Sequence, residues 1–229
     1  MKNQKNKYAL IGKNIQHSKS PEMYKKLLGH EVDYTFLDYE SEKKIPPLNE
    51  LLEKYCRISV TAPYKNYVFR HCDILSEQAQ ALEAVNAIKL KNAEVIGTNT
   101  DALAFEEIFS SKYLGTYPII LGDGAMSRLA QQYFKKTGVE HIVLSRKRKN
   151  LEQIDQYLHE LSDRSLLIIN ACGRSYNFDF KSPKPLKVWD LNYSMPEQQN
   201  YVLKSGHEYT DGEDLLIRQA EYALSFWNS

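Results

Sequence analysis

The sequence predicts an α/β protein built as two domains, and three observations carry that reading. Short apolar runs alternate with helical stretches from the start of the chain, the pattern of a mostly parallel sheet covered by helices. A second such series starts near Tyr117 and places two glycines directly after its first apolar run, the order of a dinucleotide-binding βαβ unit. The last stretch, Asp214 to Trp227, has apolar residues at Leu216, Ala220, Ala223, Leu224 and Trp227, which is helical spacing.

In the first series, Tyr8 to Ile11 reads as a strand and Pro21 to Leu28 as a helix. Ser20 is its expected N-cap, with Pro21 at the first helical position. Tyr34 to Asp38 reads as a strand, the Pro46–Pro47 pair opens a helix through Leu52, and Arg57 to Val60 is a third strand. Ser76 to Leu82 is helical. Ala87 to Leu90 and Glu94 to Ile96 form a hairpin around Lys91-Asn92-Ala93, and Asp101 to Phe109 begins another helix. In the second series, Pro118 to Leu121 is a strand and the following helix runs to Lys136, where Gly138 stops it. Ile142 to Leu144, Leu166 to Ile169 and Lys187 to Asp190 are strands. A polar helix covers Asn150 to Leu161, and Gly173 to Pro185 reads as a loop.

The bulk numbers exclude several classes. The 229 residues are enough for two modest domains with real cores. Lys plus Arg total 30 against 29 Asp plus Glu, which lacks the basic excess of a nucleic-acid binder. No run reaches the ~18 apolar residues of a membrane span. The polar start Met-Lys-Asn-Gln-Lys-Asn-Lys and the brief run Tyr8–Ile11 do not make a signal peptide, so a cytoplasmic protein is expected. Cys56, Cys72 and Cys172 are odd in number and widely spaced. With no CxxC pair or Cys/His ligand spacing, free thiols and no metal site are expected.

Six stretches carry candidate chemistry. "HSKSP", His17 to Pro21, sets two hydroxyls one residue apart; capping accounts for Ser20 but leaves Ser18 unexplained. "SVTAPYK", Ser59 to Lys65, places a lysine just beyond a strand, where open α/β sheets bind ligands, although a surface lysine satisfies the same pattern. "AVNAIK" and "GTNTDALAF" put Asn86, Asn99, Thr100 and Asp101 at turns. Asp101 serves either as a cap or as the partner that orients the Lys65 ammonium for proton transfer to a carbonyl or hydroxyl. "ILGDGAMSRLA", Ile120 to Ala130, sets Gly122 and Gly124 between a strand and a helix, which lets a pyrophosphate approach the helix start. About twenty residues on, "LSRKRK" offers Arg146, Lys147, Arg148 and Lys149 where an acidic residue would hold an unphosphorylated ribose. That favours NADP over NAD, with a solvated basic turn as the plain alternative.

Taken together, and in order along nearly the whole chain, these stretches resemble the shikimate dehydrogenase family. HSKSP, SVTAPYK, AVNA and GTNTD carry the resemblance most specifically; "DLNYSMP" at Asp190–Pro196 and "DLLIRQAEYALSFW" at Asp214–Trp227 fit the family's closing pattern. The resemblance implies an N-terminal substrate domain, residues 1–101 with the C-terminal helix 213–229 returning to it, and a Rossmann-like NADP domain, 102–212. It implies that Lys65 and Asp101 are the catalytic pair. Ser18 and Ser20 would bind the substrate carboxylate, with Ser59, Thr61, Asn86, Tyr193 and Gln219 completing the substrate site. Gly122, Gly124, Ala125, Ser127, Ser145, Arg146, Lys147 and Arg148 would hold NADP. The implied reaction is the NADPH-dependent, reversible reduction of 3-dehydroshikimate to shikimate on the way to chorismate and the aromatic amino acids, with no nucleic acid or membrane as partner.

The sequence departs from the family pattern at defined points. Ser59 stands where the family has a substrate-touching Asn. Ala125 replaces the second glycine of the GxGG loop, Asp123 fills its variable slot, and Ala102 follows Asp101 in place of Gly. Ser145 and Lys147 stand for the Asn and Thr of the usual Asn-Arg-Thr, and the chain is shortened within the cofactor half. Ser59 keeps open an oxidoreductase for quinate or another ring acid. The altered glycine loop keeps open a binding protein that retained the pocket and lost the cofactor.

Overall fold

The structure, a computed structural model, describes residues 7–229; the expectation drawn from the first six residues lies outside them. The chain forms two compact units, one up to Ala104 together with Ile217–Ser229, the other Phe105–Leu216.

The first unit is a six-stranded mixed sheet in the order β2-β1-β3-β5-β6-β4. Its strands are β1 (Lys7–Gly12), β2 (Asp33–Asp38), β3 (Arg57–Val60), β4 (Ile74–Leu75), β5 (Ala87–Lys91) and β6 (Glu94–Thr98). β1 pairs parallel with β2 and β3, whereas β5 runs antiparallel to both β3 and β6. The helices are α1 (Ser20–Leu28), α2 (Leu48–Lys54), α3 (Lys65–Phe69), α4 (Glu77–Leu82) and the start of α5 (Thr100–Lys112). Ile11, Ile58, Val60, Tyr64, Val68 and Ile88 are all but inaccessible in its core. Each fully buried side chain of this size contributes about 1.5–3 kcal/mol. The hairpin turns at Asn92 and Ala93, both at positive φ.

The second unit is a wholly parallel five-stranded sheet, β11-β10-β9-β7-β8. It comprises β7 (Tyr117–Leu121), α6 (Ala125–Thr137), β8 (Ile142–Leu144), α7 (Ile154–Glu160), β9 (Leu166–Asn170), β10 (Lys187–Asp190), α8 (Pro196–Lys204) and β11 (Glu208–Thr210). β7 and β9 are near-continuous apolar runs, as strands covered on both faces must be. The polar helix expected from Asn150 is a 3-10 turn, Leu151–Gln153, followed by α7. The Gly173–Pro185 loop has no regular structure, yet Phe178 and Phe180 are buried in it. The Gln198 amide accepts from Phe178 N and donates to Phe178 O, which replaces the strand pairing this backbone lacks.

Helix α9 (Glu213–Asn228) brings the chain end back to the first unit. The Trp227 indole N–H donates to Ile88 O, and Lys89 Nζ to Phe226 O at 2.6 Å. No helix among the described residues is long and apolar enough to cross a membrane, and the three cysteines are half-buried and in no disulfide.

One local expectation is corrected. Ser20 is not the N-cap of α1: Lys19 holds that position and Ser20 is the first helical residue. The hydroxyl that serves the helix start is Ser18, which accepts from Ser20 N at 3.3 Å. A Ser side chain readily bonds the backbone two residues on.

Candidate active site

The two hydroxyls of HSKSP lie side by side, with Ser18 Oγ and Ser20 Oγ 3.0 Å apart. The loop that presents them is pinned from β2. Asp38 accepts from Asn14 N at 2.8 Å and from Ile15 N at 3.2 Å, while Asn14 takes a positive φ. Sequence reasoning passed over Asp38; the signal was an Asp closing a strand, a position from which a carboxylate can bond turn backbone.

Lys65 begins α3 just past the Thr61–Tyr64 turn that follows β3. Its ammonium donates to Asp101 Oδ2 at 2.6 Å, with 23% and 17% of the two side chains exposed. The partners are 36 residues apart in sequence. This degree of burial sets the pair between an isolated surface lysine and a dry ion pair. Asp101 therefore does not cap α5. Asn99, only 2% exposed, does so, its Oδ1 accepting from Ala102 N at 3.1 Å. That division of labour leaves the Asp101 carboxylate for the lysine.

Asn86 immediately precedes β5, and its side chain reaches α5. Its Oδ1 accepts from Thr100 N at 2.7 Å and its Nδ2 donates to Thr100 Oγ1 at 3.0 Å. The amide thus fixes the first residue of the helix that carries Asp101. Ser59 lies on β3 with its hydroxyl 3.4 Å from Tyr24 Oη. Tyr24 is buried and its phenol is pushed well above its ordinary pKa, first by burial and then by the neighbouring Tyr34, with Asp101 close enough to add to the effect. Thr61 is half-buried in the turn, and its methyl packs where a side chain on Gly12 would stand. Gln219 is half-buried on α9. Tyr193 belongs to the second unit, in the loop after β10, where the Arg174 guanidinium covers its ring at 5.0 Å and donates to its carbonyl.

In the second unit, Gly122 follows β7 at φ +108°, and a Cβ there would stand 2.8 Å from Ala171 O. Only glycine fits. Gly124 is the N-cap of α6, and Ala125 opens a helix with no acidic residue in its first turn and Lys135 and Lys136 in its last. This charge order leaves the helix start attractive to an anion. Ser127, fully buried, donates to Gly122 O at 2.8 Å and ties the loop to the helix. After β8 the turn is shaped by side-chain bonds to its backbone: Ser145 Oγ accepts from Arg148 N, and Asn150 Oδ1 accepts from Ser145 N. Arg146, Lys147 and Arg148 are exposed. Lys147 faces Asp123 at 3.8 Å, which offsets the unexpected carboxylate in the glycine loop, and Arg148 donates to Gln131. Beside this turn opens a cleft of about 670 Å³ bounded by Arg146, Lys149, Ile154, Tyr176 and Phe178. Among the described residues no cluster of side chains is set to hold a metal ion.

A hydroxyl-lined polar site with a Lys–Asp pair in one unit, and a glycine-loop βαβ unit in the other, define a two-domain dehydrogenase. Residues 10–88 match the family described as "Shikimate dehydrogenase substrate binding domain". It is 27% identical over 254 residues to a shikimate dehydrogenase (NADP(+)) of Acinetobacter baumannii, covering 97% of this chain and 95% of that one. It is 29% identical over 240 residues to a shikimate dehydrogenase (NADP(+)) of Helicobacter pylori, covering 96% and 90%. Among solved structures, shikimate dehydrogenase of Aquifex aeolicus shares the fold with a TM-score of 0.77 at 22% identity, over 100% of this chain and 94% of that one. The Thermus thermophilus shikimate 5-dehydrogenase in complex with NADP(H) and shikimate aligns at a TM-score of 0.73 and 23% identity, over 96% and 92%.

Proposed function

We propose that the chain is an NADP-dependent shikimate dehydrogenase, catalysing the reversible reduction of 3-dehydroshikimate to shikimate. The observation that carries this reading is the Lys65–Asp101 pair, held at 2.6 Å and largely shielded from water, in the unit that also pairs the Ser18 and Ser20 hydroxyls. Ser18 and Ser20, at the start of α1, receive the substrate carboxylate, where hydroxyl donors and the positive helix end both favour an anion. Asn86, Thr61 and Gln219 meet the ring hydroxyls, and Tyr193 is the residue of the second unit that the family pattern assigns to substrate.

The residues of the second unit fit NADP. Gly122 has no room for a Cβ, the first turn of α6 carries no acid and the Asp123 carboxylate before it faces Lys147, and Arg146, Lys147 and Arg148 are exposed for a 2′-phosphate, which suits the planar donor fork of arginine. NADPH held there would supply hydride for the C3 carbonyl carbon. Lys65, an ammonium against Asp101, gives its proton to the oxygen on which negative charge develops. In the oxidative direction the same nitrogen takes the proton from the C3 hydroxyl. Asp101 orients the amine in both directions. Asn99 and Asn86 act on the pair only by fixing the start of α5. The setting proposed is the cytosol, which keeps thiols outside any disulfide reduced.

Ser59 favours one variation, activity on quinate, because a shorter side chain widens the substrate rim. Initial rates with shikimate and with quinate, each against NADP and NAD, followed by nicotinamide absorbance, test the reading. Turnover is expected to be fastest with shikimate and NADP. Turnover only with quinate or NAD would move the specificity, and none from folded protein would reduce the chain to a binding protein.

A further inference from the structure

The turn that follows β8 carries Ser145 to Lys149 and no acidic residue, although a carboxylate at this point is the ordinary holder of an unphosphorylated ribose. The fold brings a carboxylate there from the glycine loop. Gly122 N donates to Leu144 O at 2.8 Å, which ties the loop to the last residue of β8. Arg128, near the start of α6, donates to Asp123 O at 3.3 Å. Held between these two bonds, Asp123 sets its carboxylate 3.8 Å from Lys147 Nζ, with 21% of its side chain exposed.

This placement has opposite consequences for the two nicotinamide cofactors. Toward NADP the carboxylate is a repulsive neighbour. A phosphate oxygen that takes a hydrogen bond of ~2.8 Å from Lys147 Nζ lies within roughly 7 Å of Asp123 Oδ2. That is inside the ~8 Å over which physiological salt leaves charges largely unscreened. A 2′-phosphate must also share Lys147 with the carboxylate. Toward NAD the same oxygens are acceptors for a ribose hydroxyl, with no 2′-phosphate to oppose them. Fold stability does not account for the residue, because Lys147 is 85% exposed and a pair so open to water contributes little.

We infer that Asp123 is a cofactor-specificity residue: its carboxylate, set against Lys147, lowers the affinity for NADP and narrows the advantage of NADP over NAD. This rests on the NADP reading above and sets how strict that preference is.

Asp123→Asn keeps the size of the side chain and removes its charge. NADP and NAD are titrated separately into the full-length wild type and variant by calorimetry, at low and at high salt. NADP should bind the variant about tenfold more tightly, with NAD binding unchanged or weaker, and the gain for NADP should shrink at high salt. Asp123→Glu, which restores a carboxylate, should keep the ratio of the two affinities near that of wild type. Both variants should melt within about two degrees of wild type, which separates a change in affinity from a change in folding. An equal gain for both cofactors would place the repulsion at the diphosphate they share and overturn the assignment to the 2′-phosphate. If the Asn and Glu variants behave alike, the shape of the side chain and not its charge is at work, and the inference falls. Unchanged or weaker binding of NADP to Asp123→Asn also overturns it, while the NADP reading stands for as long as wild type prefers NADP. If wild type binds neither cofactor, the functional reading fails, and the inference with it.

Discussion

The two units build their sites from different materials. In the first, the chemistry lies in side chains: Ser18 against Ser20, Lys65 against Asp101, Asn86 against Thr100, each pair held at 2.6–3.0 Å. In the second, the features proposed to receive the cofactor phosphates are mostly backbone: a glycine at φ +108°, a helix whose first turn carries no acid, and a turn whose N–H groups are tied by the Ser145 and Asn150 side chains. Its charged side chains Arg146, Lys147 and Arg148 are exposed. The difference explains where sequence change has been absorbed. A side-chain pair loses its chemistry when either member changes. A backbone cradle survives replacement of a side chain such as that at Ala125, provided the one position that excludes a Cβ stays glycine.

The largest effect that separates the units is expected from Lys65→Ala. It should lower kcat by about 10²- to 10⁴-fold, the range for loss of a positioned proton donor, and leave NADP affinity close to wild type. Steady-state rates with cofactor titration check this, and an equal fall in NADP affinity would break the division of labour. The converse is Gly122→Ala. It forces a Cβ to within 2.8 Å of Ala171 O at a backbone angle that alanine avoids. It should cost the protein about 1–3 kcal/mol and weaken NADP binding, with shikimate affinity in the cofactor-free protein retained.

Smaller again is the joint change Arg146→Ala and Lys147→Ala. Removing two exposed charges should raise the KM for NADP about tenfold and leave that for NAD nearly unchanged, since only NADP carries the 2′-phosphate. Equal changes for both cofactors would mean that the basic turn is merely solvated.

The smallest is a pH effect confined to the second unit. His207 is buried against Phe180 at 5.2 Å, and its Nδ1 has no partner among the described residues. Burial holds its pKa below the ordinary 6.5. The unfolded chain therefore binds a proton from about pH 6.5 downward that the folded chain resists, so stability is lost as pH falls through that window. His207→Phe keeps the stacking and removes the titration. Melting scans at pH 7 and pH 5 should show a smaller drop for the variant, by on the order of one to two degrees.

Much of the fold was legible because long elements repeat their signal. The apolar runs of β7 and β9, and helices α6 and α9 with their glycine stop or amphipathic face, show several periods each. β4 with two residues and β11 with three carry no period, and α3 is only five residues directly after Pro63 and Tyr64. Pro196 at the start of α8 was a legible signal that the polar sequence around it obscured. The site divides along the same line. Which residues have the chemistry could be seen in the motifs. That Lys65 meets Asp101 across 36 residues, that Asn99 relieves Asp101 of capping, and that the Tyr24 hydroxyl meets that of Ser59 are products of tertiary packing, which no local spacing encodes.

The account stands on Lys65 and Asp101 working as one unit, and a double-variant cycle in kcat tests that most directly. Lys65→Ala, Asp101→Asn and the two together would be assayed with shikimate and NADP at saturation. If the carboxylate acts only through the lysine, the double variant will be no slower than Lys65→Ala alone. Losses that multiply independently would contradict the account, because Asp101 would then have a role at the reacting atoms that does not pass through Lys65.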